Sequence, residues 1–309
     1  MERKKASEFD PQLIALFNKY VHGAINRREF LDGAAKFAVG GLTAMGLWDM
    51  LRPNYAWAQQ VAKDDQRIKT EYAFYSSPKG NAADGKMRGY LARPASGDKF
   101  PVVVVYHENR GLNPYIEDVV RRLAAAGYMA FGPDALWPLG GYPSVDKYGA
   151  EADEKGQEML RSLDNEKTTE DFIAAAEFLL KHPQSSGKLG AVGFCGGGSR
   201  VNQLAVRMPE LAAAAPFYGR APALADVPKI KAAVLAQFAD LELDPNTTGT
   251  WKGYEAALKA NGITHQGYIY PKVYHGFHND TTPRYDEAAA KLAWQRTIAH
   301  FNKYLNGAA

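Results

Sequence analysis

The chain has a single cysteine, Cys195, within Gly193-Phe194-Cys195-Gly196-Gly197-Gly198. A glycine two residues before and another two after is the spacing of a nucleophile carried on a sharp turn from a strand into a helix. The requirement is steric. The nucleophile's backbone is strained at such a turn, and a Cβ on either flanking residue would collide with the adjoining strand or helix. The turn also sets the thiol at a helix N-terminus, where the dipole and free N–H groups favour a thiolate and a developing oxyanion. A lone cysteine is ordinarily a small buried hydrophobe; the glycine frame sets this one apart.

A cysteine nucleophile needs a base, an acid to orient that base, and donors for the oxyanion. Of the seven histidines, His265, His275 and His278 lie between the cysteine turn and the last predicted helix. His265 precedes a strand and falls at the wrong end of a sheet. His275 follows the last strand in Val273-Tyr274-His275-Gly276-Phe277-His278 and is the expected base, with His278 a loop residue or substrate contact. The acid is expected after the apolar run 232–239, where Asp240, Glu242 and Asp244 are the choices, and spacing does not separate them. Trp137, Tyr142, Tyr218 and Phe277 are the aromatics expected to line the pocket.

Other chemistries find less support. No Gly-x-Gly-x-x-Gly opens a helix after a strand, so no dinucleotide cofactor is expected. Neither His-Glu-x-x-His nor a cysteine cluster is present, so no metal is expected. A thiol redox sensor is a weaker alternative, because no second cysteine exists to resolve an oxidised one. A non-catalytic binding relative is the other alternative.

The elements that must position these residues alternate. The stretch 101–107 is β-branched and continuous, as a strand buried on both faces should be. A helix is predicted over 114–126, a strand over 128–131, an irregular insertion over 137–164 and a helix over 168–181. The strand 189–195 with its helix follows, then strands at 212–218, 232–239 and 266–271, and helices at 249–260 and 284–304. Alternation of this kind implies a mostly parallel sheet covered by helices on both faces, with ligands bound beyond the strand carboxyl ends. Every candidate catalytic residue falls at such an end.

The chain of 309 residues is 46% hydrophobic with a net charge of +3. It has no basic stripe, which disfavours nucleic acid as a partner. Residues 1–58 read differently from the rest. Arg27-Arg28, the weakly hydrophobic glycine- and alanine-rich run 37–48 and Ala56-Trp57-Ala58 together resemble a twin-arginine leader with a small-residue cleavage pattern. The expectation is a leader over 1–58 and one enzyme domain over 59–309. That implies export to the periplasm or beyond, with only transient contact with a membrane. An N-terminal membrane anchor, or an amphipathic surface helix over 11–25, are the alternatives.

The cysteine turn, together with His107-Glu108-Asn109-Arg110-Gly111-Leu112-Asn113 and His275-Gly276-Phe277, resembles the dienelactone hydrolase (carboxymethylenebutenolidase) family over residues 70–305. The resemblance implies an α/β-hydrolase fold and a small ester or lactone as substrate, cleaved through a thioester acyl-enzyme. It implies a triad of Cys195, His275 and an acid whose position falls on Glu242, with Asp240 second. It also implies an oxyanion hole from the backbone N–H groups of Asn109 and Gly196. Glu108 matches a glutamate that gates the thiol, keeping it neutral until substrate displaces the carboxylate. The arginine that follows the family's histidine is replaced by Asn279, with none until Arg284, which points away from dienelactone itself as substrate.

Overall fold

The computed structural model describes residues 4–57, 59–144 and 151–307. Its centre is an eight-stranded sheet in the order β1-β2-β4-β3-β5-β6-β7-β8. β1 (Ile68–Ser76) and β2 (Lys86–Pro94) form an antiparallel hairpin at one edge, and β2 pairs antiparallel with β4 (Met129–Pro133). From β4 onward all pairs are parallel, through β3 (Phe100–Tyr106), β5 (Ser185–Phe194), β6 (Leu211–Phe217), β7 (Ala233–Phe238) and β8 (His265–Ile269).

The unbroken valine run of β3 follows from that topology. Side chains alternate across a strand, so a strand covered on both faces must be apolar at every position. Val103 and Val105 enter one core with Ile116, Val119, Ala293 and Phe301, from the helices Pro114–Ala125 and Glu287–Leu305. Val102 and Val104 enter the other with Phe172, Ala175, Val201 and Leu258. Those come from the helices Asn165–Leu180, Gly196–Arg207 and Trp251–Ala260. Tyr106 lies opposite Gly193, and Phe194 opposite Phe217, so β3, β5 and β6 end together and their loops share one rim. The expected insertion over 137–164 carries a regular helix at Ala152–Ser162; its residues 145–150 lie outside the described residues.

The N-terminal segment, read in sequence as a leader, forms a helical unit with its own core. It is folded, with helices Pro11–Val21, Arg27–Ala34 and Ala44–Leu51 around a core of Leu13, Ile14, Phe17, Phe30, Trp48 and Leu51. The local signals are strong: Asp10 caps the first helix ahead of Pro11, and Asn26 and Glu29 form a capping box on the second. Arg27 of the arginine pair makes an ion pair with Glu151 at 2.6 Å and lies over the Trp48 ring at 4.2 Å.

The segment rests on the rest of the chain through Ala6 N–H to the Pro283 carbonyl (2.8 Å) and Asn54 N–H to the Thr281 carbonyl (2.8 Å). Contacts therefore cross the division expected at residue 58, while the apolar residues of 13–51 repeat at helical spacing and bury one another. Ala58, at the expected cut, lies outside the described residues. No helix among the described residues is long and apolar enough to cross a membrane.

Candidate active site

Cys195 directly follows β5 and precedes the helix Gly196–Arg207 with φ 55° and ψ −118°, a conformation that side chains rarely adopt. The flanking glycines are required by backbone atoms. A Cβ on Gly193 would lie 2.4 Å from the Gly197 carbonyl oxygen, and one on Gly197 would lie 2.2 Å from that of Tyr106. The Cys195 N–H donates to the Phe217 carbonyl at 3.1 Å, which ties the turn to the end of β6.

His275 is buried on the loop after β8, with Nδ1 2.7 Å from Oδ2 of Asp244, itself buried. That contact leaves Nε2 for the sulfur. Burial would push the thiol up, but the charge of His275 and the proximity of the His22 and His275 imidazoles outweigh it and hold Cys195 well below the ordinary range. Burial would lower His275, yet the charge on Cys195 and the bond to Asp244 push it up to about 10. The two directions describe a thiolate–imidazolium pair.

The acid on the histidine is thus Asp244 rather than Glu242. Glu242 is exposed, and its N–H donates to Asp240 Oδ1 at 2.9 Å. Asp240 also accepts from the Lys272 N–H through Oδ2 at 2.6 Å, so it organises the loop. Residues 240–244 turn tightly enough for the Asp244 N–H to reach the Asp240 carbonyl at 2.8 Å, which brings residue 244 round beneath His275. A count along the chain from β7 does not register that turn.

Glu108 is buried at the end of β3, and its Oε2 accepts from Asn279 Nδ2 at 2.6 Å. Burial raises its pKa; Arg110 pulls it down, negative charge on Cys195 raises it, and Arg284 and the Asn279 bond lower it. Asn279, read in sequence as a missing arginine, is the partner of Glu108. Arg284 is buried near Glu108 and Cys195, so a guanidinium returns to the neighbourhood of the site from further along the loop; burial and Arg110 push its pKa down, against the opposing charges of Glu108 and Cys195.

Gly196 opens its helix, so its N–H is among the donors that a first turn leaves free, and a Cβ there would meet nothing within 4 Å. Asn109 follows β3, and its side chain donates to the Val21 carbonyl at 2.6 Å. Both line a cavity of about 350 Å³ with His107, Glu108 and Phe172. A second cavity of about 430 Å³ is lined by Cys195, Gly196, Tyr218, Asp244 and His275. His22 lines both.

Of the four expected pocket aromatics, Tyr218 alone lines either cavity, its ring 4.8 Å from that of His275. Phe277 is core, packed on Tyr218 and Tyr270. Trp137 lies against Arg88 and Phe74 beside β1 and β2, because β4 carries its loop to the far side of β3. Tyr142 donates to Asp153 at 2.9 Å and packs near Tyr55. His278 is a core histidine, its Nδ1 2.7 Å from the Tyr115 hydroxyl and its ring stacked on Phe194, and burial pushes its pKa well below the ordinary value.

His22 was not legible in the sequence as a site residue, since nothing near it carries a motif. Its ring meets that of His275 edge-on at 4.8 Å. The sulfur of Cys195 and ring nitrogens of His22 and His275 all lie within 4.8 Å of one another.

A parallel sheet with a strained residue at the turn after a central strand, and a histidine–carboxylate pair beyond the last strands, defines the class: an α/β-hydrolase. The model of the dienelactone hydrolase family matches residues 87–305, and the chain belongs to that family, which makes it an ester or lactone hydrolase. Residues 1–37 match a separate model described as YqhI-like.

The chain is 52% identical over 124 residues to a candidate hydrolase fragment, YghX, of Escherichia coli strain K12 (40% of this chain, 97% of that one). It is 33% identical over 249 residues to a candidate carboxymethylenebutenolidase of Saccharolobus solfataricus (69% and 93%). Among solved structures, a candidate dienelactone hydrolase from Klebsiella pneumoniae superposes with a TM-score of 0.63 at 26% identity, covering 76% of this chain and 100% of that one.

Proposed function

We propose that the protein hydrolyses a small ester or lactone by acyl transfer through Cys195, with His275 as acid and base and Asp244 as the group that orients it. The Cys195 sulfur bonds to the carbonyl carbon while the carbonyl π pair moves onto oxygen, which meets the backbone N–H groups of Asn109 and Gly196. One such donor contributes roughly 3 kcal/mol to the transition state. As the carbon–oxygen bond breaks, His275 passes its Nε2 proton to the leaving oxygen. It then takes a proton from water, which attacks the thioester and releases the acid and the thiolate.

The observation that carries this reading is the buried Asp244–His275 pair beside a cysteine in a strained turn conformation. The likeness to carboxymethylenebutenolidase candidates supports a lactone or enol ester as the leaving-group chemistry. Arg284 and Arg110, buried around Glu108, support an acyl portion with negative charge. The test is Cys195→Ala with a short p-nitrophenyl ester: turnover is lost while circular dichroism stays unchanged. Wild-type turnover in that variant excludes the mechanism. A panel of lactones and esters with and without a free carboxylate then identifies the acyl portion.

A further inference from the structure

We propose that His22, supplied by the folded N-terminal segment, is a further catalytic residue: a second imidazole on the sulfur of Cys195. The proposal rests on the reading of Cys195 as nucleophile. His22 is the residue that ends the helix Pro11–Val21, and its Nδ1 lies 2.7 Å from the Asn18 carbonyl oxygen. A carbonyl only accepts, so Nδ1 carries a hydrogen and Nε2 is the atom free for the sulfur. The ligand atoms of His22, Cys195 and His275 all lie within 4.8 Å of one another, and the His22 ring meets that of His275 edge-on at 4.8 Å, which sets a second imidazole beside the sulfur.

The ring is held there by its surroundings. The Val21 carbonyl, one residue back, accepts from Asn109 Nδ2 at 2.6 Å, and Asn18, one turn back, accepts from Arg284 Nη1 at 3.0 Å. These bonds fasten the end of the helix to the oxyanion loop on one side and the histidine loop on the other. His22 is itself exposed and lines both cavities, so a substrate reaching the sulfur from either one passes its ring.

The chemistry follows from two bases at one atom. When the S–H bond of Cys195 breaks, the electron pair stays on sulfur and the proton goes to Nε2 of His275 or of His22. With the proton on His22, both of its nitrogens donate, one to the Asn18 carbonyl and one to the thiolate. When sulfur bonds to the carbonyl carbon its charge is spent and the His22 bond lapses; when the thioester is cleaved the thiolate returns and the bond re-forms. A thiolate maintained from both sides is one that a carboxylate gate alone would not hold.

The test uses the full chain with His22→Gln and His22→Ala. Exposure of the ring makes both variants compatible with folding, checked by thermal denaturation. The first measurement is alkylation of Cys195 by iodoacetamide from pH 5 to 9, read on the sulfur itself and so independent of hydrolysis. The expected result is a rate at pH 6 lower by about tenfold, the effect of losing one charge-assisted hydrogen bond. The expected kinetic result is a fall in kcat larger than any change in KM, with partial rescue of His22→Ala by added imidazole.

An unchanged alkylation profile together with unchanged kcat overturns the proposal. The second measurement is the intact mass of active protein isolated from cells: retention of residue 22 is expected, and a form beginning at residue 59 with full turnover overturns the proposal. Loss of the nucleophile reading would show instead as hydrolysis surviving Cys195→Ala.

Discussion

Replacing Asp244 by asparagine isolates the acid behind His275. The Oδ2–Nδ1 separation is 2.7 Å and both side chains are buried, so little water screens the interaction. Unit charges about 4 Å apart at an effective dielectric constant of about 20 attract by about 4 kcal/mol, an upper bound. The net value of a hydrogen bond to a charged group is about 1.5–3 kcal/mol. At 1.36 kcal/mol per tenfold, that range corresponds to a fall in kcat/KM of about tenfold to about 150-fold.

The amide adds a second effect. If its NH₂ faces Nδ1, the imidazole must carry its proton on Nε2, the tautomer that cannot accept a proton from the thiol. The assay is initial-rate hydrolysis of a p-nitrophenyl ester between pH 6 and 9, with Glu242→Gln as control. Glu242→Gln is expected within about twofold of wild type, since an exposed carboxylate contributes little. Asp244→Asn at more than half the wild-type kcat/KM, or Glu242→Gln falling as far as Asp244→Asn, refutes the assignment.

Cys195 is held below the ordinary thiol range, so its thiolate persists as the pH falls. Alkylation by iodoacetamide in the wild type should be nearly constant from pH 8 to pH 6, whereas an ordinary thiol, with a pKa of about 8.5, loses close to tenfold per unit. Steep loss over that interval would show that the imidazoles do not ionise the sulfur. At the turn, Gly197→Ala would force a Cβ to 2.2 Å from the Tyr106 carbonyl oxygen and 2.6 Å from that of His107, both backbone atoms that cannot swing aside. It should lower the thermal midpoint by several degrees, as a loss of about 2 kcal/mol or more does in a chain of this size. Gly196→Ala, facing open space, should not, and equal midpoints for the two variants would count against the steric account.

The N-terminal half of the site shows how local signals can be correct yet incomplete. Arg27-Arg28 and the small-residue run 37–48 carry the composition of a leader, and the surrounding segment 11–51 also holds Leu13, Phe17, Phe30 and Trp48, which pack together in one core. Composition reports what a segment could be recognised by; burial reports what it packs against. Likewise Trp137 and Tyr142 lie on a loop at a strand end, where pocket residues are expected, yet they face the β1–β2 edge and Asp153.

The features legible in the amino-acid sequence are those set by neighbours a few residues away. Gly193 marks the turn because the clash it avoids, with the Gly197 carbonyl, is local to it, and the β3 run is apolar throughout because both sides of a central strand are covered. His275 is legible because a glycine-bearing loop after the last strand is a fixed place in the topology. Tertiary structure alone decided the rest. Asp244 prevails over Glu242 through the direction of a five-residue turn, Asn279 and Arg284 converge on Glu108 from a loop packed across the sheet ends, and His22 reaches Cys195 across more than half the chain. Such contacts depend on how elements stack, and the spacing of residues along one strand or helix carries no record of what will lie against it.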